Sequence, residues 1–537
     1  MKRNQVLAII LSAMMLLGIT GAMAEDNAKY FEKYSQTVTV TSVKNLGGGT
    51  MEFPEGDSID DNVWTRKFLE DLNIQVKYLW STSEQQYGQK VNVAIASNDL
   101  PDLILVTGAQ LQLMYENGQL MDVTDIVEEN IAPFTREILY GDGGVSIKSA
   151  TFGGRLYAIP NVGSGLLSAP VLWVRTDWLE NVGMEPPKTM DELRQVADAF
   201  TNKDPDKNGK KDTFGLAMYK DIFGGGFGNV EGLFNGFGAY PNIWIEKDGK
   251  LVYGSVQPEM KKALEFIQGL YKDGLIDPEF GVKDANKVAE DVSAGKLGMF
   301  YGSFWNAAWI NDSKVANPDS EWMPIAVPTA TAEPATAQIP FGTTGYYAIN
   351  PAMKNPEAVI RILNLQLEKM YGATAEPTIY ALTPEGYGPF QYPPIGMEPP
   401  MKNFIAAQKV TEALLTKDPS KLNDEEKNYY EMSLLSMAGD HKNNNWHQLK
   451  MFGPAGSLSV IDKYFKDGHI KVDAFYGTAT DTMTQRMSTL GKQQLTDFTA
   501  IILGENADKF DTFVENWNKL GGETIVKEVN DWVASVQ

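Results

Sequence analysis

The chain has 537 residues, 43% of them hydrophobic, with 69 Asp and Glu against 47 Lys and Arg for a formal charge of −22, and it contains no cysteine. A length beyond the ~250 to 300 residues at which a single core stops growing implies two or more lobes. The missing cysteine excludes disulfides, thiolate metal sites, a Cys nucleophile and a lipid on an N-terminal Cys, while the acidic balance argues against nucleic acid or an anionic membrane surface as partner.

At the N-terminus, Lys2 and Arg3 precede an apolar stretch over residues 6–19, and Ala22-Met23-Ala24 follows as a small-x-small cleavage site. Residues 1–24 therefore read as an export signal, too short in its apolar part for the ~20 residues of a spanning helix. An exported protein, periplasmic or at the cell surface, is expected.

Residues 36–43, where Val38 and Val40 alternate with threonines, read as a strand ended by Gly47-Gly48-Gly49. Trp64, Phe68, Leu69 and Leu72 recur at helical spacing, and Ile74, Val76, Tyr78 and Trp80 alternate as a second strand. Strand, helix, strand predicts a parallel pair. A helix over 87–96 and a short buried strand over 101–106 extend the series, which predicts a doubly wound α/β lobe.

Further on, residues 171–174 form a strand, and Thr189 with Glu192 three residues later makes a capping box for a helix buried along Leu193, Val196, Ala197 and Phe200. That helix feeds into Asp204-Pro205-Asp206-Lys207-Asn208-Gly209-Lys210-Lys211-Asp212. Oxygen side chains at alternate positions around a glycine are the arrangement that wraps a hard cation. Asp204, Asp206, Asn208, the Lys210 carbonyl and Asp212 are the expected ligands of a structural Ca2+. The position where a bidentate Glu closes such loops holds Gly215 instead, so another oxygen or water must complete the shell, and a metal-free Asx-rich turn is the competing reading. Phe214, Leu216 and Met218 alternate as the next strand, so the loop would pin a helix-to-strand corner.

A helix starting at Pro258 places Ala263, Leu264, Ile267, Leu270 and Tyr271 on one face and stops at Gly274, and another carries Phe510, Phe513, Val514 and Trp517 up to Gly521-Gly522. The stretch 384–400, rich in Pro, Gly and Tyr, reads as an ordered loop or a crossing between lobes. His441, His447 and His469 are the only histidines; the first two are spaced wrongly for a zinc pair on a helix, and all three read as exposed loop residues.

Together the segments YGQKVNVAIASNDLPDLILV, GRLYAIP, VLWVRTDWLENVGMEPPKTMDELRQVADAF, KDPDKNGKKDTFGLA, MKKALEFIQGLYKDGLIDPEF, AGKLGMF and FDTFVENWNKLGGETIVKEVNDW resemble, in order and spacing, the large extracellular solute-binding proteins of ABC importers. The resemblance implies two α/β lobes joined by crossing strands, the type II periplasmic-binding-protein-like architecture. It places lobe 1 at 36–165 and 341–375, and lobe 2 at 166–340 and 376–537. It further implies a saccharide or oligosaccharide held in the cleft between the lobes, delivery to the transmembrane subunits of an ABC permease, no catalysis, and a monomer. Relatives of this kind include ones with a calcium loop where this chain has residues 204–212. Many are lipoproteins, from which this chain departs in having no Cys.

Ligands of open α/β folds sit beyond the carboxyl ends of strands, which nominates Trp80, Thr107, Gln110 and Asn161. Similarity to maltose-type binders adds Asn229 and Trp305 from lobe 2 and Tyr346 from the crossing; Trp446, beside Asn443-Asn444-Asn445, is a further candidate. An aromatic ring suits the CH face of a pyranose while hydroxyls need polar partners, although each large aromatic also has a competing core role. An exported glycosidase or lyase is the alternative class, since carboxylate pairs are abundant; a peptide-binding or sensory binding protein is another. Gly-x-Ser-x-Gly, a phosphate-binding glycine loop and His-Glu-x-x-His are all missing.

Overall fold

A computed structural model describes residues 27–47, 51–163, 165–224 and 228–536. The export-signal segment, Gly48 and Gly49 lie outside the described residues. In chain order the strands that matter here are β1 Val38–Asn45, β2 Ile74–Thr82, β3 Leu103–Val106, β4 Ile159–Val162, β5 Val171–Arg175, β6 Phe214–Leu216, β7 Leu297–Gly302, β8 Trp322–Ile325 and β9 Thr343–Ile349. The helices are α1 Val63–Leu72, α2 Glu84–Ser97, α3 Gly108–Glu116, α4 Met190–Asn202, α5 Glu231–Gly236, α6 Glu259–Lys272, α7 Glu357–Tyr371 and α8 Asn445–Phe452.

The chain divides into two compact units. The first takes in the chain up to residue 164 with Gly342–Lys402 and Tyr476–Ala479; the second takes in Gly165–Phe341, Asn403–Phe475 and Thr480–Gln537. Residues 376–402 thus belong with the first unit, not the second as the sequence suggested. The reason is packing: Tyr380, Tyr392, Ile395 and Met397 are buried in the first unit's core, and the Trp64 indole N–H donates to the Tyr380 carbonyl at 3.1 Å.

The first unit holds a five-stranded sheet in the order β2-β1-β3-β9-β4. The parallel trio expected from the sequence is there, with Val38 opposite Ile74, Ser42 opposite Leu103, and a register shift between Ser42 and Val43. Strand β9 is antiparallel to both β3 and β4, so β4 runs the same way as the trio. α1 starts where the Asn62 side chain accepts from the Trp64 and Thr65 amides, and it stops at Asn73, whose left-handed φ of 56° an Asn tolerates. It buries Trp64, Phe68 and Leu72 against the sheet; Leu69, expected on the same face, is 46% exposed.

The second unit has a four-stranded sheet in the order β8-β5-β7-β6. β7 is parallel to β6 and antiparallel to β5, and all six of its residues are buried. The Thr189 and Glu192 capping box forms as read, with Thr189 Oγ1 accepting from the Glu192 amide at 3.2 Å and Glu192 Oε2 from the Thr189 amide at 3.0 Å. α4 then lays Leu193, Val196, Ala197 and Phe200 against the sheet. The approach is so close that a Cβ at Gly215 would collide with the Ala197 backbone, which explains a glycine in the middle of a strand.

Candidate functional site

Parallel strands deliver their carboxyl ends to one edge of the first unit's sheet, where Asn45, Thr82, Val106 and Val162 terminate β1, β2, β3 and β4. Trp80, Thr107, Gln110, Asn161 and Tyr346 are all brought to this edge, but they differ in what they leave available. Thr107 and Gln110 form a reciprocal cap at the start of α3: Thr107 Oγ1 accepts from the Gln110 amide at 3.3 Å and Gln110 Oε1 from the Thr107 amide at 2.9 Å. The Gln110 Nε2 donates to Asn92 Oδ1 at 2.8 Å. Gln110, buried, is thereby committed to starting and anchoring a helix, while Thr107 is exposed and keeps its O–H donor beside the cap. Tyr346 is also corrected, because its ring is buried and its hydroxyl donates to Ser149 Oγ at 2.9 Å. Two others remain open. Asn161 is half-buried with no hydrogen bond to its amide among the described residues, and the half-buried Trp80 ring lies 5.7 Å from Tyr87 with the Lys90 ammonium 5.0 Å from its centre.

The sequence reading missed Lys44, two residues from the Ser42–Val43 register shift and one from the end of β1. Its Nζ donates to the Pro393 carbonyl at 2.6 Å, and burial pushes the amine down to about 7. Parity was the available signal: Val40 and Ser42, at the same alternation, are buried.

In the second unit β6 and β7 run parallel, and the chain beyond their carboxyl ends carries Asn229, Glu231 and Trp305. Asn229 Oδ1 accepts from the Glu231 amide at 3.2 Å, which turns the chain into α5. The Glu231 carboxyl, also missed by the sequence reading, has no partner among the described residues, and burial pushes it up to about 8. Trp305 is half-buried in the turn after β7, edge-on to Trp309 with ring centres 4.9 Å apart and planes at 70°. Trp446 does not belong to such a surface: it is 1% exposed on α8, under the Lys450 ammonium at 5.6 Å. His447, expected in an exposed loop, is likewise buried on α8, where burial pushes its imidazole down to about 4.

Residues 204–212 turn sharply, with positive φ at Asp204, Lys207 and Gly209. Asp204 accepts from the Asn208 amide at 3.0 Å and the Gly209 amide at 3.1 Å, and Lys210 N–H donates to Asn208 Oδ1 at 2.7 Å. The Asn208 Nδ2 donates to Asp206 at 2.7 Å and Asp212 at 3.1 Å. Burial, with Asp204 and Asp212 beside it, pushes the Asp206 carboxyl above its ordinary value. Among the described residues no three His, Asp or Glu side chains close tightly enough to hold a metal. The donor set is nevertheless all oxygen and acidic, as a hard cation requires, with an amide N–H2 between Asp206 and Asp212.

The family model described as bacterial extracellular solute-binding protein matches residues 52–372. Lipoprotein LipO of Bacillus subtilis (strain 168) is 26% identical over 547 residues, covering 98% of each chain. The polygalacturonan/rhamnogalacturonan-binding protein YtcQ of the same organism is 30% identical over 228 residues, 42% of this chain and 43% of its own length. Among solved structures, the Streptococcus pneumoniae substrate-binding protein FusA in complex with kestose superposes with a TM-score of 0.64 at 17% identity, over 93% of this chain and 99% of that one. An EF-hand mutant of FusA in complex with fructo-nystose gives 0.62 at 17%, over 94% and 99%. At this identity the structural matches establish the fold, two-lobed α/β of the type II binding-protein kind.

Proposed function

This chain belongs to the bacterial extracellular solute-binding protein family, and from that premise we propose that it captures a saccharide or oligosaccharide outside the cytoplasm and delivers it unaltered to the membrane subunits of an ABC transporter. YtcQ and FusA, whose names and ligands refer to saccharides, support the ligand class. The observation that carries the reading is Trp305, a half-exposed indole held edge-on by Trp309 at the carboxyl end of β7, where open α/β sheets place their ligands. A rigid ring of this kind offers a flat apolar face to a pyranose at low entropic cost. Trp80 and the free Asn161 amide offer the corresponding ring and polar group in the first unit.

The test is a thermal-shift and calorimetric screen against neutral and acidic oligosaccharides, with chromatography of the recovered sugar. Binding without conversion is expected. Shortened products would replace the reading with that of a polysaccharide-cleaving enzyme.

We further propose that Asp204, Asp206, Asn208, the Lys210 carbonyl and Asp212 hold a structural Ca2+, as the EF-hand named for FusA supports. Rotating the Asn208 amide would exchange its N–H2 for an oxygen between Asp206 and Asp212. The ion would fix the corner between α4 and β6. The protein acts as a monomer in this reading.

A further inference from the structure

Most of the buried or half-buried cations of this acidic chain keep a carboxylate at hand. Arg175 has Asp177; Lys283 has Asp277 and Asp291 at 2.7 Å; Lys314 has Glu321 at 2.8 Å, and Lys450 also reaches Glu321. Such pairing is what keeps charge tolerable away from water.

Lys44 differs. It sits one residue from the carboxyl end of β1, flanked by the parallel strands β2 and β3, and among the described residues its ammonium touches a single acceptor, the Pro393 carbonyl at 2.6 Å. An ammonium has three N–H donors, so two are unspent. No carboxylate lies within ion-pair distance among the described residues, and burial is the whole cause of the fall of its pKa to about 7. Anchoring the Pro-rich loop does not by itself call for a cation, because Tyr78 already donates to the adjacent Tyr392 carbonyl at 2.6 Å and a neutral donor suffices there. A desolvated amine without an anion is costly in the free protein, and that cost is recovered when an anion arrives.

We propose, resting on the reading of this chain as a saccharide-binding protein, that its ligand carries an anionic substituent and that Lys44, at the carboxyl edge of β1, is the counter-ion that selects it. The class is an acidic oligosaccharide, with a uronate carboxylate or a sulfate ester supplying the charge. Lys44 then does two things at once. It keeps the Pro393 carbonyl and turns its free N–H donors toward the ligand oxygens, a charge-assisted contact made in a partly dry setting where it is strongest. The net negative charge of the chain sets no long-range attraction for such a ligand, so discrimination falls on this local contact and is expected to survive moderate salt.

The test uses the full chain and matched pairs of probes: oligogalacturonate, oligoglucuronate and alginate trisaccharides with their carboxyl-reduced counterparts, and sulfated trisaccharides with their desulfated counterparts. Calorimetry is expected to show at least one anionic member bound about 10- to 100-fold more tightly than its neutral counterpart, and Lys44→Met to erase that difference. Lys44→Arg, which keeps the charge if the Met variant folds poorly, should retain the preference. The Lys44 amine pKa, read from pH-dependent acylation, should rise when the anionic probe saturates the protein. Equal affinity for both members of every pair overturns the inference and leaves saccharide capture standing. An anionic preference intact in Lys44→Met overturns the role of Lys44. Failure of every saccharide to bind overturns both this inference and the function it rests on.

Discussion

The Asn208 side-chain amide donates to the Asp206 carboxylate at 2.7 Å, so a neutral N–H2 stands between two acidic side chains of the 204–212 loop. Three carboxylates within nine residues are held by backbone amides and this one side chain. A divalent cation would relieve their repulsion far better than an amide does. Calcium should therefore raise the melting temperature of chelator-stripped protein by several degrees, following the ~2.7 kcal/mol that a ligand at a hundredfold of its Kd contributes. An Asp204→Asn/Asp212→Asn double variant should lose the response. Scanning calorimetry with and without calcium makes the comparison, and identical traces would dispose of the site.

Two tryptophans that the sequence alone could not tell apart should behave oppositely. Trp305→Ala removes a half-exposed ring at a strand end and is expected to cost about tenfold or more in saccharide affinity with a small change in melting temperature. Trp446→Ala empties a site with 1% exposure and should cost about 3–5 kcal/mol of stability, measured by urea unfolding. Should Trp305→Ala bind like the parent chain, ring stacking at the end of β7 has no part in recognition.

These contrasts show where sequence reading stopped. Local signals carried far: the Thr189 and Glu192 box and the alternation through β1 and β2 were written in neighbouring residues. What failed was decided at a distance. The placement of 376–402 depends on Tyr380 and Tyr392 meeting residues more than 300 positions earlier, such as Trp64 and Tyr78. Gln110 lies at a strand end, yet its amide is spent on a cap and on Asn92, and Trp446 and Tyr346 are aromatics of the core because burial is a property of neighbours and not of residue type. Lys44 and Glu231 escaped notice because Lys and Glu are mostly solvated, and only the packed structure shows which of them are partly withdrawn from water.

Glu231 should make stability fall with rising pH. Its carboxyl, raised by burial from an ordinary 4.5 to about 8, is protonated in both states below about pH 4.5. Above that the unfolded chain ionises while the folded one holds its proton, so the contribution is lost progressively up to about pH 8 and then levels off. Glu231→Gln keeps the shape without the titration. Its melting temperature should exceed that of the parent at pH 8 by more than at pH 5, and an equal difference at the two pH values would show that the carboxyl is not desolvated.

His447 should act in the opposite sense and at the acid end. Buried on α8, its imidazole is pushed down from 6.5 to about 4, so the folded state resists the proton that the unfolded state accepts. The stability this provides is complete above pH 6.5 and lost as the pH falls toward 4. With Glu231 acting over much of the same range, the two slopes partly cancel in the parent, and single variants separate them. His447→Gln should flatten the loss on the acid side when melting temperatures are followed from pH 7 to pH 4, and direct NMR titration should place the imidazole well below an exposed histidine. An imidazole that titrates near 6.5 would mean that water reaches α8 in solution, and the burial assigned to Trp446 beside it would have to be given up as well.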